Sequence, residues 1–404
     1  MGGLKRRILE QIEEMGPVDV LVGISTKDVE RTIIHVMNVA SMGIADYFPG
    51  YRAALVVCDG FSHDRTRQLA ELFELPSQMV KIVTEEEGEV GKGSSIRTIF
   101  EIAVHCGASS VILLDGDLLS VRPEWVEHLG KPPLYGMVDL VVPYYVRHKY
   151  DGLITNNLAY PLTRALYGLC VRQPIGGEYG LSIELVKKLL SHPLFPHHFG
   201  VDIFVTTVAA AEDLAVQETL LGVKIHESIM RYLDPRKLLF PMFNEVVGTM
   251  FDLMVHYEGV WRSKALQAGG QRCMARFHGL RPPPTMINLD RVRDLFFQVY
   301  SEWEHVIESS LQGNLFPELK DAIEGGEVRM GPDLWSRLVY SLAAAYKRAE
   351  DKTSVLNALR ALWLGRFVAY AQETKGMDVE ETERVLEEQA QVFERNRDYL
   401  LSIF

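Results

Sequence analysis

The run SSVILLDGD at 109–117 constrains the fold more than any other segment. Its apolar centre closes abruptly on two acids. A strand with no polar alternation is buried on both faces, and a parallel sheet with helices on both sides buries a strand that way. Similar runs occur at VDVLVGI (18–24), AALVVCDG (53–60), QMVKIVTE (78–85) and DLVVPYYV (139–146). Helical patterns lie between them: VERTIIHVMNVA, TRQLAELFEL and SIRTIFEIAVHCG (95–107). The last sets Ile96, Ile99, Phe100, Ala103 and Val104 on one face. Alternation of this kind predicts an α/β fold with a mostly parallel, Rossmann-like sheet. Ligands of such sheets bind at the carboxyl ends of the strands. Asp59, Lys92, Asp115 and Asp117 all fall there.

The last third reads differently. From about Asp290 onward, apolar residues recur at three- and four-residue steps, which predicts a helical region. GLRPPPT (279–285) separates the two styles, because three prolines stop helix and sheet alike. The expected domains are therefore 1–280 and 281–404. A chain of 404 residues has room for both.

Composition excludes several classes of function. A formal net charge of -12 argues against nucleic-acid binding, which depends on clustered Lys and Arg. No stretch approaches the roughly 20 apolar residues that span a bilayer, so membrane insertion is not expected. The N-terminal MGGLKRRILEQIEEMG is charged and helical, with no apolar core of a signal peptide. The cysteines, 58, 106, 170 and 273, form no CxxC pair. That argues against zinc and a disulfide framework and for a cytoplasmic protein.

LLDGD (113–117) delivers Asp115 and Asp117 from a strand end. Residues i and i+2 of an extended chain point the same way, and two hard oxygen ligands suit Mg²⁺ or Mn²⁺ carrying a diphosphate. The plain alternative is an acidic turn. GKGSS (91–95) opens a helix, where glycines allow close backbone approach and a helix N-terminus favours anions. Lys92 adds positive charge; the alternative is a capped turn. In CDGFSHDRT, Asp59 is placed to hold a base or ribose, whereas Asp64 reads as a turn cap. Asp202 is a lone acid in the apolar FGVDIF (199–204), where a carboxylate needs a partner or a task. His226 ends the expected strand of GVKIHES; alone, such a histidine is more often structural.

In this order LVGIS, VVCDGFSHDRT, GKGSS, LLDGD, QPIGGEYG and FGVDIF resemble the retaining GT-A glycosyltransferases that make mannosylglycerate and glucosyl-3-phosphoglycerate. The helical C-terminal region with LWLGRFVAY looks like that of the mannosylglycerate enzymes. The resemblance implies a GT-A fold and a hexose, glucose or mannose, moved with retention from UDP-glucose or GDP-mannose to D-glycerate or a related glycerate acceptor, making a compatible-solute glycoside. It implies donor contacts from Gly23, Ser25, Asp59, Lys92, Asp115, Gly116 and Gly177. Asp117, His226 and Asp115 would face the metal, and Asp202, Lys92 and Glu178 the reacting sugar and phosphates. In RHKYDGLIT, Arg147, Thr155 and Asn156 would take the acceptor. A homo-oligomer is expected. The alternatives are 3-phosphoglycerate as acceptor, a sugar nucleotidylyltransferase and a non-catalytic GT-A-like scaffold. The first strand leads into GISTKDVE with a single glycine, which speaks against the nucleotidylyltransferase. Front-side attack and double displacement through Asp202 both stay open.

Overall fold

The computed structural model describes residues 4–76, 79–227, 236–237, 239–265 and 280–404. They form two compact units, Met1–Val146 with Ile175–Leu238, and Arg147–Pro174 with Leu239–Phe404.

The first unit is built on a seven-stranded sheet: β1 (Val20–Thr26), β2 (Ala53–Asp59), β3 (Met79–Glu85), β4 (Ser110–Asp115), β5 (Leu140–Val146), β6 (Tyr179–Ser182) and β7 (Val216–Val223). The order is β3-β2-β1-β4-β6-β5-β7, and only β6 runs antiparallel to its neighbours. This is the mostly parallel sheet expected, and the strands read at 18–24, 53–60, 78–85, 109–117 and 139–146 each lie within two residues of their reading. β1, β2, β4 and β5 are buried almost end to end, as strands covered on both faces must be. The core gathers Val22, Ile24, Leu55, Val57, Ile112 and Leu114 with Ile33, Met37 and Trp125. Register fixes the site: Thr26 pairs with Asp59, and Ser25 with Asp115, so two acids end the strands on either side of β1.

β6 was not legible in the sequence. It is four residues long with Gly180 inside. A Cβ there would lie 1.8 Å from the Leu129 carbonyl oxygen, so this strand exists where the helix Pro123–Leu134 presses on bare backbone. Gly23 has the same explanation in β1: a Cβ would meet Ile99 at 2.4 Å, from the helix Lys92–His105.

The second unit is helical, with Leu239–His256, Leu289–Ser310, Pro332–Arg348, Lys352–Glu373 and Val379–Arg395 as its long elements. Residues 280–288 carry no regular structure, as the prolines require. The units are drawn differently from the division at 280/281: 147–174 and the chain from Leu239 onward both belong with the helices. Within 147–174 a π-helical turn, Thr155–Ala159, leads into the helix Tyr160–Tyr167. Carbonyls of the turn accept from outside it: Asn157 O from Trp335 Nε1 at 2.6 Å, and Asn156 O from Gln389 Nε2 at 3.0 Å. No described helix is long and apolar enough to cross a membrane. Cys58 and Cys106 are buried thiols, but Cys170 is disulfide-bonded, against the expectation from cysteine spacing.

Candidate active site

The loops after β1 and β2 are stitched together. Backbone N–H groups of Asp28, Val29 and Glu30 donate to Ser62 Oγ, Thr66 Oγ1 and Asp64 Oδ2. Asp64 also accepts from Thr66 N. Burial works against its charge, but these bonds hold the carboxyl below its ordinary range, as the turn-cap reading expects. Asp59 is nearly inaccessible and accepts from Thr26 Oγ1 at 3.0 Å, Ser62 Oγ at 2.6 Å and Ser62 N at 2.8 Å. Its side chain is a latch for the loop beside the strand ends.

The glycines of GKGSS serve a different neighbour from the one expected. The helix begins at Lys92, and Cβ atoms on Gly91 and Gly93 would lie 2.3 Å from His197 O and 2.0 Å from Pro196 O. Ser94 N donates to His197 O at 3.2 Å. The bare backbone therefore receives the 196–198 segment, which covers this end of the helix. That segment leads into the helix Val201–Ala211, whose first turn carries Asp202.

The result is a pair of contacts at Lys92. Its ammonium lies 2.9 Å from Asp115 Oδ1 and 3.0 Å from Asp202 Oδ2. Burial alone would depress Lys92, but the two carboxylates hold it well above its usual value. Asp202 is raised by burial, with Lys92 opposing the shift. Asp202 Oδ1 is buried and has no hydrogen-bond partner among the described residues. A buried carboxylate oxygen in that condition suits a hydroxyl brought by a ligand.

A second cation stands on the other side of Asp115. Lys224 Nζ is 3.8 Å from Asp115 Oδ2 and donates to Glu178 Oε1 and Oε2 at 2.9 and 2.8 Å. Tyr145 OH donates to Glu178 Oε2 at 2.6 Å. Glu178 is wholly inaccessible, and burial raises its carboxyl. Both of its oxygens are taken up by Lys224 and Tyr145. Sequence reasoning missed Lys224, Tyr145 and Tyr179. Lys224 had a signal, as the one charge in LLGVKI. Tyr179 had none; its hydroxyl accepts from Gly176 N and donates to Asp202 O.

Asp117 and His226 form a separate pair. An antiparallel bridge joins Leu118 to His226, and Glu227 N donates to Asp117 O at 3.0 Å. The bridge sets Asp117 Oδ2 3.6 Å from His226 Nδ1. One carboxylate and one imidazole side by side fit a divalent ion whose remaining positions a diphosphate fills. No described cluster of three His, Cys, Asp or Glu side chains is placed to hold a metal. Asp115 turns Oδ1 to Lys92 and Oδ2 toward Lys224. His226 lies beyond the end of β7 and not inside it.

Of the remaining candidates, Ser25 sits partly exposed at the end of β1. Gly116 is packed on β1, where a Cβ would lie 2.7 Å from Thr26 Cγ2. Gly177 takes φ +90°, and a Cβ on it would lie 2.6 Å from Asp115 Oδ2. Arg147, Thr155 and Asn156 belong to the second unit. Asn156 is committed there: its Nδ2 donates to Asp151 O and its Oδ1 accepts from Arg172 Nη2 at 2.9 Å.

No family model matches the chain. A glucosyl-3-phosphoglycerate synthase of Mycobacterium tuberculosis is 29% identical over 240 residues, 55% of this chain and 69% of that protein. One from Mycolicibacterium paratuberculosis is 32% identical over 157 residues, 35% of this chain and 45% of that protein. The crystal structure of the M. tuberculosis enzyme with Mn²⁺, UDP and glucosyl-3-phosphoglycerate aligns with a TM-score of 0.47 and 27% identity, over 63% of this chain and 85% of that one.

Proposed function

We propose that this chain moves a hexose from a nucleotide diphosphate sugar to D-glycerate. It is a glycosyltransferase similar to the glucosyl-3-phosphoglycerate synthases. The observation that carries the reading is Lys92, held between Asp115 and Asp202 at the carboxyl ends of a GT-A sheet. Lys92 is the cation for the donor diphosphate, and Asp202 offers its open Oδ1 to a hydroxyl of the transferred sugar. Asp117 and His226 would hold Mg²⁺ or Mn²⁺, which when bound offsets charge on the departing diphosphate. The donor is UDP-glucose or GDP-mannose, and the acceptor hydroxyl attacks with retention at the anomeric carbon. Such a protein works where nucleotide sugars are made, in the cytoplasm.

The relatives' name points to 3-phosphoglycerate as the rival acceptor. A phosphate generally wants several donors and an extra cation. In the stretch read as acceptor-binding, Lys149 is spent on the carbonyls of Thr374 and Met377, and Arg164 on Glu387 and Glu394. Burial, with Lys149 beside it, depresses His148 and keeps it neutral at pH 7. Arg147 is the cation the resemblance assigns to the acceptor, and a single guanidinium suits a carboxylate better than a phosphate. The test crosses UDP-glucose and GDP-mannose with D-glycerate and 3-phosphoglycerate, and reads nucleoside diphosphate released. D-glycerate should win in kcat/KM. A tenfold advantage for 3-phosphoglycerate, about 1.4 kcal/mol, would replace the acceptor. No acceptor-dependent release with any pair would remove the function.

A further inference from the structure

Five side chains form an alternating row in the first unit: Asp202, Lys92, Asp115, Lys224 and Glu178. The two lysines differ in what they can still do. Lys224 has three N–H groups and gives all of them away, to Gly176 O at 3.0 Å and to both oxygens of Glu178. It is 7% exposed. Nothing remains with which to grip a substrate. Toward Asp115 it contributes charge alone, 3.8 Å from Oδ2. Gly177 permits that approach: its φ is +90°, and a Cβ would lie 2.6 Å from Asp115 Oδ2 and 3.0 Å from Lys224 Nζ.

Resting on the proposed function, we infer that Lys224 is a positioning residue that keeps Lys92 electrostatically available to the donor diphosphate. Lys92 faces two carboxylates, and two acids on one ammonium leave a net negative site that repels phosphate. Lys224 shares the charge of Asp115 from the far side, so less of it is spent on Lys92. Its own countercharge, Glu178, is displaced to an inaccessible position where Tyr145 also bonds it. The row thus shifts negative charge away from the phosphate end without changing the total. Glu178 acts only through Lys224.

Lys224→Met alone strands a buried carboxylate and endangers folding. The test is therefore the charge-matched double variant Lys224→Met with Glu178→Leu, beside Gly177→Ala, which pushes Asp115 off Lys224 and keeps the Lys224–Glu178 pair. Titration calorimetry with UDP and with GDP, in Mn²⁺, reads binding without turnover, and thermal melting is read on the same samples. Both variants should bind the preferred nucleotide at least tenfold more weakly than the parent, with the double variant melting within a few degrees of it. A structural pairing role would return stability and affinity together in the double variant. Binding within twofold of the parent in whichever variant stays folded overturns the inference. A parent protein that binds neither nucleotide overturns the proposed function instead, whatever the variants do.

Discussion

Both units bury ion pairs, and they use them differently. In the second unit Arg366 is wholly inaccessible and every nitrogen is matched: Nε to Gln389, Nη1 to Met330 O and Glu373, Nη2 to Glu373. Arg164 is similarly closed by Glu387, Glu394 and Tyr160. In the first unit Lys92 stands between two acids at the strand ends, and Asp202 Oδ1 has no described hydrogen-bond partner. Buried charge alone therefore marks no site. An incomplete hydrogen-bond set at the mouth of a parallel sheet does.

The largest effect should come from Asp117→Ala. It removes half of the pair that suits a divalent ion, and kcat should fall by about three orders of magnitude or more, roughly 4 kcal/mol. Excess chelator should do the same to the parent and be reversed by Mg²⁺ or Mn²⁺. Thermal melting should hardly move, since the pair lies at a loop. Full activity in chelator would erase this side of the contrast.

Arg366→Leu should show the opposite profile. Breaking a buried pair by removing one partner costs about 3–5 kcal/mol. Denaturant unfolding should record a loss of that size in the second unit, with the affinity for nucleotide unchanged. A variant as stable as its parent would mean that the arginine lattice is not structural.

A smaller effect separates the units by pH. Burial opposes charge on Glu387, but Arg164 and Tyr160 hold its carboxyl below the ordinary value. A depressed acid contributes stability that is present above the unfolded value, about 4.5, and is lost as pH falls through the folded one. Asp202 and Glu178 are raised by burial, so their contribution has the reverse sign: it is present at low pH and lost as pH rises through their folded values. Melting of Glu387→Gln and the parent should differ at neutral pH and converge below pH 4.5. Parallel curves throughout that range would contradict the assignment.

β1, β2, β4 and β5 were legible because burial on both faces leaves runs without polar alternation, as in SSVILL. β6 was not, since Gly180 is chosen by a helix backbone and not by strand propensity. The acids at 115, 117 and 202 announced themselves by interrupting apolar segments. The glycines of GKGSS misled: their bareness is real, but it receives the 196–198 backbone. The association of 147–174 with the helical unit depends on Trp335 and Gln389, far along the chain, and no local pattern reports such a partner.

Lys92→Ala tests the central claim most directly, with steady-state transfer and thermal melting read on the same preparation. Transfer should fall at least a hundredfold, about 2.7 kcal/mol, because the diphosphate loses its cation. Melting should also fall, because Asp202 loses its cation in a buried place, so transfer is compared per folded protein. Transfer within twofold of the parent would contradict the account and leave Lys92 as a buried ion-pair partner like those of the second unit.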